Sequence, residues 1–172
     1  MKSRMFPFFM SKARVVSGYT DETANLTSIA NTNFNAHGLC TLAELRNGQT
    51  MASSGCDTTS DAGGTLDVYF STAKEIGKIE FWNYANTERL KHFILYRYNG
   101  GSWTKIPITS ITAGGTIVNT DEGQVSNANG VTTCIFDPVT DTGFRLVFDS
   151  TWGIGDNNAY LPELKIYSVV WS

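Results

Sequence analysis

The sequence predicts an all-β protein, an antiparallel sandwich or barrel with one or two short helical turns. Three observations carry this expectation. Runs rich in branched and aromatic residues dominate from Leu66 onward, and the clearest of them alternates in polarity with period two. Turns rich in glycine, asparagine and polar residues separate these runs at spacings that suit antiparallel strands better than alternating strands and helices. Helix signals are confined to one short stretch. At 172 residues, with 41% hydrophobic and 17% charged residues, the chain is long enough for one domain with its own core and far in composition from a disordered segment.

Residues 1–39 read as an N-terminal arm or an extra edge strand. Phe6-Pro7-Phe8-Phe9 is too apolar to float in water, residues 13–19 suit a strand, and residues 21–35 are polar and weakly patterned. In one reading this segment covers a sandwich edge; in the other it hides its phenylalanines on a neighbouring subunit. Lys2 and Arg4 imitate a secretion signal, but the apolar stretch that follows is short and holds Pro7, so export is not expected.

The sandwich domain is expected over residues 40–172. Thr41-Leu42-Ala43-Glu44-Leu45-Arg46 carries a Thr-x-x-Glu capping box ended by Asn47-Gly48, the best candidate for a helical turn. Strands follow at 66–70 and, after a turn at Gly77, at 78–84. In the latter Ile79, Phe81 and Asn83 point one way, and Lys78, Glu80, Trp82 and Tyr84 the other. Residues 92–98 lead into Asn99-Gly100-Gly101-Ser102, whose residue types tolerate the positive φ of a tight turn, so 103–106 returns as the second arm of a hairpin. Further strands are expected at 116–118, 131–136, 143–148 and 161–170.

The formal charge of -3, from 13 basic and 16 acidic residues scattered along the chain, gives no footprint for phosphate backbones or anionic lipid. Neither nucleic acid nor membrane insertion is expected. Cys40, Cys56 and Cys134 cannot all pair within one chain and lack CxxC spacing. A reduced environment is the simpler reading, with one internal disulfide left open.

The order of elements is more telling than composition. A helical turn ends at Leu45-Arg46-Asn47-Gly48, and Thr50-Met51-Ala52-Ser53-Ser54 and the strand at 66–70 come next. Ile76-Gly77-Lys78-Ile79-Glu80-Phe81, the Asn99-Gly100-Gly101-Ser102-Trp103 hairpin, Phe144-Arg145-Leu146-Val147-Phe148 and Leu161-Pro162-Glu163-Leu164-Lys165-Ile166-Tyr167 complete the series. This succession, over roughly residues 40–168, resembles the discoidin-like, galactose-binding-like β-sandwich (jelly roll) family, which includes many carbohydrate-binding modules and coagulation-factor C-type domains. The chain departs from the family pattern where Asn47-Gly48 replaces a common Asp-Gly, where Met51 stands for the usual tryptophan, and in lacking cysteines that tie the two ends together.

The resemblance implies a structural calcium held by Asn47, Thr50 and Glu163, against the alternative of a loop satisfied without metal; an amide in place of a carboxylate removes charge from such a site. Sugar recognition in such folds uses an aromatic platform and a few amide, guanidinium or imidazole groups set in loops at one end. Two loops carry those types: Trp82, Tyr84, Asn86, Arg89 and His92, and Trp152, Asp156, Asn157, Asn158 and Tyr160. A sandwich can place both at one end. The plainer alternative is that the tryptophans cover the sandwich ends and the asparagines fix turns.

No catalytic residue is expected. His37 and His92 sit in neither HExxH nor GxSxG contexts, and Glu122 and Asp149 read as loop solvation. The chain therefore reads as a non-catalytic structural or adhesion subunit, a bacteriophage virion component such as a capsid decoration, head-fibre or tail-associated protein. It would be made in the host cytoplasm, would oligomerise, and would contact other virion subunits through the arm. The alternative is a free-standing lectin for cell-surface glycan.

Overall fold

The computed structural model describes residues 14–33, 40–48, 56–57, 64–83, 90–128, 130–151 and 160–172. Along the chain the strands are β1 Val16–Asp21, β2 Leu26–Thr32, β3 Cys56–Asp57, β4 Gly64–Asn83, β5 Leu90–Asn99 and β6 Ser102–Lys105. They continue with β7 Ile108–Ala113, β8 Gly115–Asn119, β9 Glu122–Val125, β10 Gly130–Thr151, β11 Tyr160–Leu161 and β12 Leu164–Trp171. Two 3-10 turns, Thr23–Asn25 and Glu44–Arg46, are the helical content of the described residues.

Every pairing is antiparallel, and two long strands run through both layers. The first part of β4 pairs with residues 143–148 of β10 and with β2, while its second part pairs with residues 130–139 of β10 and with β12. β5 extends the first layer by pairing with β10, carrying β6 and β9 in turn, and β8 pairs with β9. In the second layer β7 pairs with β10 and β1 with β12. The strands turn the corner at register shifts between Ile135 and Val139 and between Asp141 and Gly143. Pro138 sits in that unpaired stretch, where its missing N–H interrupts no ladder.

Two expectations therefore change. The separate strands at 131–136 and 143–148 are one strand, β10, and no turn occurs at Gly77: β4 runs straight through it. Glycine is needed there for closeness instead, since a Cβ would fall 2.6 Å from Val169 Cγ1 on β12. The strand expected over 161–170 is interrupted at Pro162-Glu163, giving β11 and β12. β2, β7 and β9 were not expected from the sequence.

The core lies between the layers. Phe81 on β4 meets Phe93 on β5 and Phe148 on β10 edge-on, with ring centroids 4.9 and 5.4 Å away, and all three are fully buried. Leu66, Leu95, Leu146, Ile79 and Ile166 complete the same interior. Each such side chain contributes about 1.5–3 kcal/mol by leaving water. Alternation over 78–83 is as expected, with Ile79, Phe81 and Asn83 buried and Lys78, Glu80 and Trp82 half-buried on the outer face.

Local chemistry explains the turns. The β5–β6 hairpin closes on Gly100 and Gly101 with φ of 58° and 121°, conformations that glycine adopts without strain. Trp103 then packs 5.1 Å from the Tyr98 ring, with the Arg145 guanidinium 4.2 Å above its own ring. At the capping box the Glu44 N–H donates to Thr41 Oγ1 at 3.2 Å, and Gly48 leaves the turn at φ 77°.

Cys40 and Cys56 form a disulfide, and Cys134 is a free buried thiol. The fully reduced reading of the cysteines is thereby replaced by the one-disulfide reading. Spacing alone left the pairing open because β11 pairing with β3 is what brings Cys56 into place. No helix among the described residues is long and apolar enough to cross a membrane.

Candidate functional site

Strand register fixes which loops share an end of the sandwich. Leu90 pairs with Thr151 and Asn83 with Gly130, so the strand ends at Asn83, Leu90, Gly130 and Thr151 lie at one end. At two of these strand ends the Leu90 N–H donates to Asn83 Oδ1 at 3.2 Å. The other end of that amide, Nδ2, is buried with no hydrogen-bond partner among the described residues.

Of the residues expected to touch sugar, Trp82, His92 and Tyr160 are described; Tyr84, Asn86, Arg89, Trp152, Asp156, Asn157 and Asn158 lie outside the described residues. Trp82 presents its ring half-buried on the outer face of the second layer, with Lys165 Nζ 5.4 Å from the ring centroid. Tyr160 is half-buried on β11, opposite Asp57. His92, the third residue of β5, is engaged by protein groups at both ring nitrogens. Its Nδ1 lies 3.2 Å from Glu122 Oε1 and 3.6 Å from Asp149 Oδ1, and its Nε2 lies 3.1 Å from Gln124 Oε1. Glu122 and Asp149, read from the sequence as loop solvation, thus converge on one imidazole. Glu122 and Gln124 at i and i+2 of a strand share a face, which the sequence does carry; the arrival of Asp149 from β10 it does not.

Of the residues that the resemblance assigns to calcium, Asn47 and Glu163 are described and Thr50 lies outside the described residues. Glu163 is buried, its Oε2 accepts the Gly48 N–H at 2.9 Å, and no ion pair reaches it among the described residues. Burial pushes its carboxyl above the usual range, with the Gly48 N–H and Lys165 pulling the other way. A buried carboxylate with one backbone donor suits a cation. The Asn47 Nδ2 donates to Glu44 Oε2 at 2.8 Å, and its Oδ1 is the atom that would ligate calcium. The described groups supply one carboxylate of the six to eight oxygens that calcium prefers.

A cleft of about 540 Å³ opens beside Glu163, lined by Asp21, Thr23, Ala24, Arg46 and Lys165 as well. Its walls are held by Thr23, whose Oγ1 accepts the Ile166 N–H at 3.0 Å, and by Arg46, which donates to the Ala24 and Leu26 carbonyls at 3.2 Å each. Of the expected sugar-contacting residues that are described, Trp82, His92 and Tyr160, none lines it.

No protein-family model and no curated protein matches the chain. Solved structures do. A family 32 carbohydrate-binding module from Clostridium perfringens NanJ, in complex with galactose, superposes with a TM-score of 0.65 over 87% of this chain and 99% of its own, at 19% identity. The fold is the discoidin-like, galactose-binding-like β-sandwich. A second structure with this sandwich, CpGH89CBM32-5 of the same organism in complex with GalNAc-β-1,3-galactose, matches with a TM-score of 0.64 at 16% identity over 86% of this chain and 99% of that one. A third, CBM32-1 and CBM32-2 of Clostridium perfringens ZmpB in complex with GalNAc, matches with a TM-score of 0.63 at 14% identity, over 85% of this chain and 34% of that one. At these identities the galactose-binding-like fold is what is shared.

Proposed function

We propose that this chain is a non-catalytic glycan-binding module that reads sugar at the sandwich end from which connections 84–89 and 152–159 depart. The observation that supports the reading is the register of Leu90 with Thr151, the strand ends next to which residues 84–89 and 152–159 follow in sequence. Similar folds have been captured with galactose and GalNAc-containing sugars, so terminal galactose or GalNAc is the first ligand to test. Trp82 and Trp152 would offer aromatic faces to the sugar's CH groups, and Asn86, Arg89, Asp156 and Asn157 would bond its hydroxyls. Tyr84, His92 and Tyr160 would border the site.

Glu163 would anchor a structural calcium below this end. The disulfide suits work outside a reducing cytosol, which fits a secreted, surface-bound or virion-borne module alike.

A glycan array followed by calorimetry with galactose and GalNAc tests the reading, with Trp82→Ala and Trp152→Ala as controls whose folding is checked by thermal melts. Binding lost in either folded variant supports it; a blank array with the wild-type chain sinks it. The virion reading, with its N-terminal arm and oligomer, keeps its basis in the sequence alone, since residues 1–13 lie outside the described residues. Its test is deletion of residues 1–12: sedimentation should show reduced self-association, and undiminished association would remove the arm.

A further inference from the structure

Three side chains from three strands meet beside β5 in a way that asks for a cation. His92 stands at the start of β5, Glu122 at the start of β9 and Asp149 near the end of β10. His92 Nδ1, a Glu122 oxygen and an Asp149 oxygen all lie within 4.8 Å of one another. Two of those separations, 3.2 and 3.6 Å, bracket the spacing of about 3.3 Å expected between ligand atoms held 2.0–2.1 Å from a tetrahedral ion.

The surroundings orient each donor. Gln124, directly opposite His92 in the β5–β9 register, faces His92 Nε2 with its Oε1. With Oε1 accepting, Nε2 carries a hydrogen, and Nδ1 faces the two carboxylates, as a lone pair when the ring is neutral and as an N–H donor when it is protonated. When the ring is neutral, three electron-rich atoms face one another, and a positive centre between them relieves the repulsion. Glu122 is fixed in the same manner: its Oε2 accepts from Asn119 Nδ2 at 3.0 Å, while Asn119 Oδ1 accepts the Asp121 N–H at 2.9 Å, which leaves Oε1 for the centre. Asp149 arrives by a backbone irregularity. Phe148 pairs with Phe93 and Ser150 with His92, so Asp149 is the extra residue of a β-bulge, the device that re-aims a side chain out of strand alternation.

We propose that His92, Glu122 and Asp149 form a binding site for a zinc-class divalent ion, oriented by Gln124 and Asn119. An imidazole with two carboxylates suits zinc and its neighbours better than calcium or magnesium, which take oxygen alone. Three protein ligands leave a fourth position for water or an exogenous donor, and the half-exposed Asp149 gives solvent a way in. The ion would tie β5, β9 and β10 together close to Leu90 and Thr151. Ion binding here requires neither sugar nor calcium at Glu163, although His92 also borders the proposed sugar site.

The experiment uses the tag-free full chain, stripped with chelator, titrated with zinc chloride by calorimetry and with cobalt chloride by visible absorption. One zinc per chain is expected. His92→Ala should remove the binding, and Glu122→Gln and Gln124→Ala should each weaken it about tenfold or more. Glu163→Gln should leave it intact. Thermal melts confirm that each variant is folded; if His92→Ala does not fold, the conservative Glu122→Gln decides in its place. Absence of stoichiometric zinc binding by the wild-type chain would overturn the proposal. So would zinc binding unchanged in His92→Ala or Glu122→Gln, or lost in folded Glu163→Gln.

Discussion

Replacing Arg145 by methionine should destabilise the domain by about 2–3 kcal/mol. Arg145 on β10 sits directly opposite Asp67 on β4 and binds it with two parallel hydrogen bonds of 2.6 and 2.7 Å. Trp103 covers the guanidinium from the hairpin, and the Tyr69 hydroxyl donates to Asp67 Oδ2 at 3.4 Å. Breaking a fully buried pair costs about 3–5 kcal/mol, whereas an exposed pair is worth at most about 1. Asp67 is 10% exposed and Arg145 28%, so the cost falls between those limits, with loss of the cation–π contact included. For a domain of this size that corresponds to a fall in Tm of roughly 4–12 °C. Urea unfolding is the assay, because guanidinium chloride would screen the interaction it is meant to measure. A double-mutant cycle with Asp67→Asn isolates the pair, and a coupling of about 1 kcal/mol or more is expected. An Arg145→Met variant within about 0.5 kcal/mol of wild type, or strictly additive single variants, would refute the reasoning that this pair is sheltered.

The Glu22 carboxyl is held below its usual range: burial pushes it up, but hydrogen bonds from Lys74, Asn25 and Ser168 together outweigh that. Its contribution is therefore present above the unfolded value near 4.5 and lost as pH falls through the lower folded value, so thermal melts of wild type and Glu22→Gln should differ at pH 7 and converge in acid. Burial pushes the Cys134 thiol up to about 12, so Ellman's reagent at pH 8 should find no reactive thiol in the folded chain and one in urea. Labelling of the native protein would contradict its burial. Replacing both Cys40 and Cys56 by serine should cost about 3 kcal/mol in chemical unfolding, as for other loops of this length. Calcium should raise the Tm of wild type and leave that of Glu163→Gln unchanged; an equal rise in both would place the ion elsewhere.

Much of the fold could be read because its signals are local. Alternation over 78–83, the glycine pair at 100–101 and the Thr41 capping box each depend on neighbours within a few residues. β2, β7 and β9 escaped for the opposite reason. Their sequences, such as Leu26-Thr27-Ser28-Ile29-Ala30-Asn31-Thr32, are mostly polar or small and become strands because β4, β10 and β5 offer them partners. Gly77 misled because glycine marks a turn and a close approach with the same letter. At the candidate site, residue types suitable for sugar were legible in two segments, but the nearness of the strand ends that lead into them depends on the Leu90–Thr151 pairing. The role of Asp149 depends on a bulge that has no sequence signature.

Taken alone, the amino-acid sequence determined an antiparallel all-β body, its hairpin, its aromatic core and its one capped turn, because backbone period and turn conformation are set by residues next to one another. Tertiary structure decided that β4 and β10 each thread both layers, that Cys40 joins Cys56, and that His92 faces Glu122 and Asp149. Those outcomes belong to strand register, which is settled only when distant segments compete to bury the same apolar face.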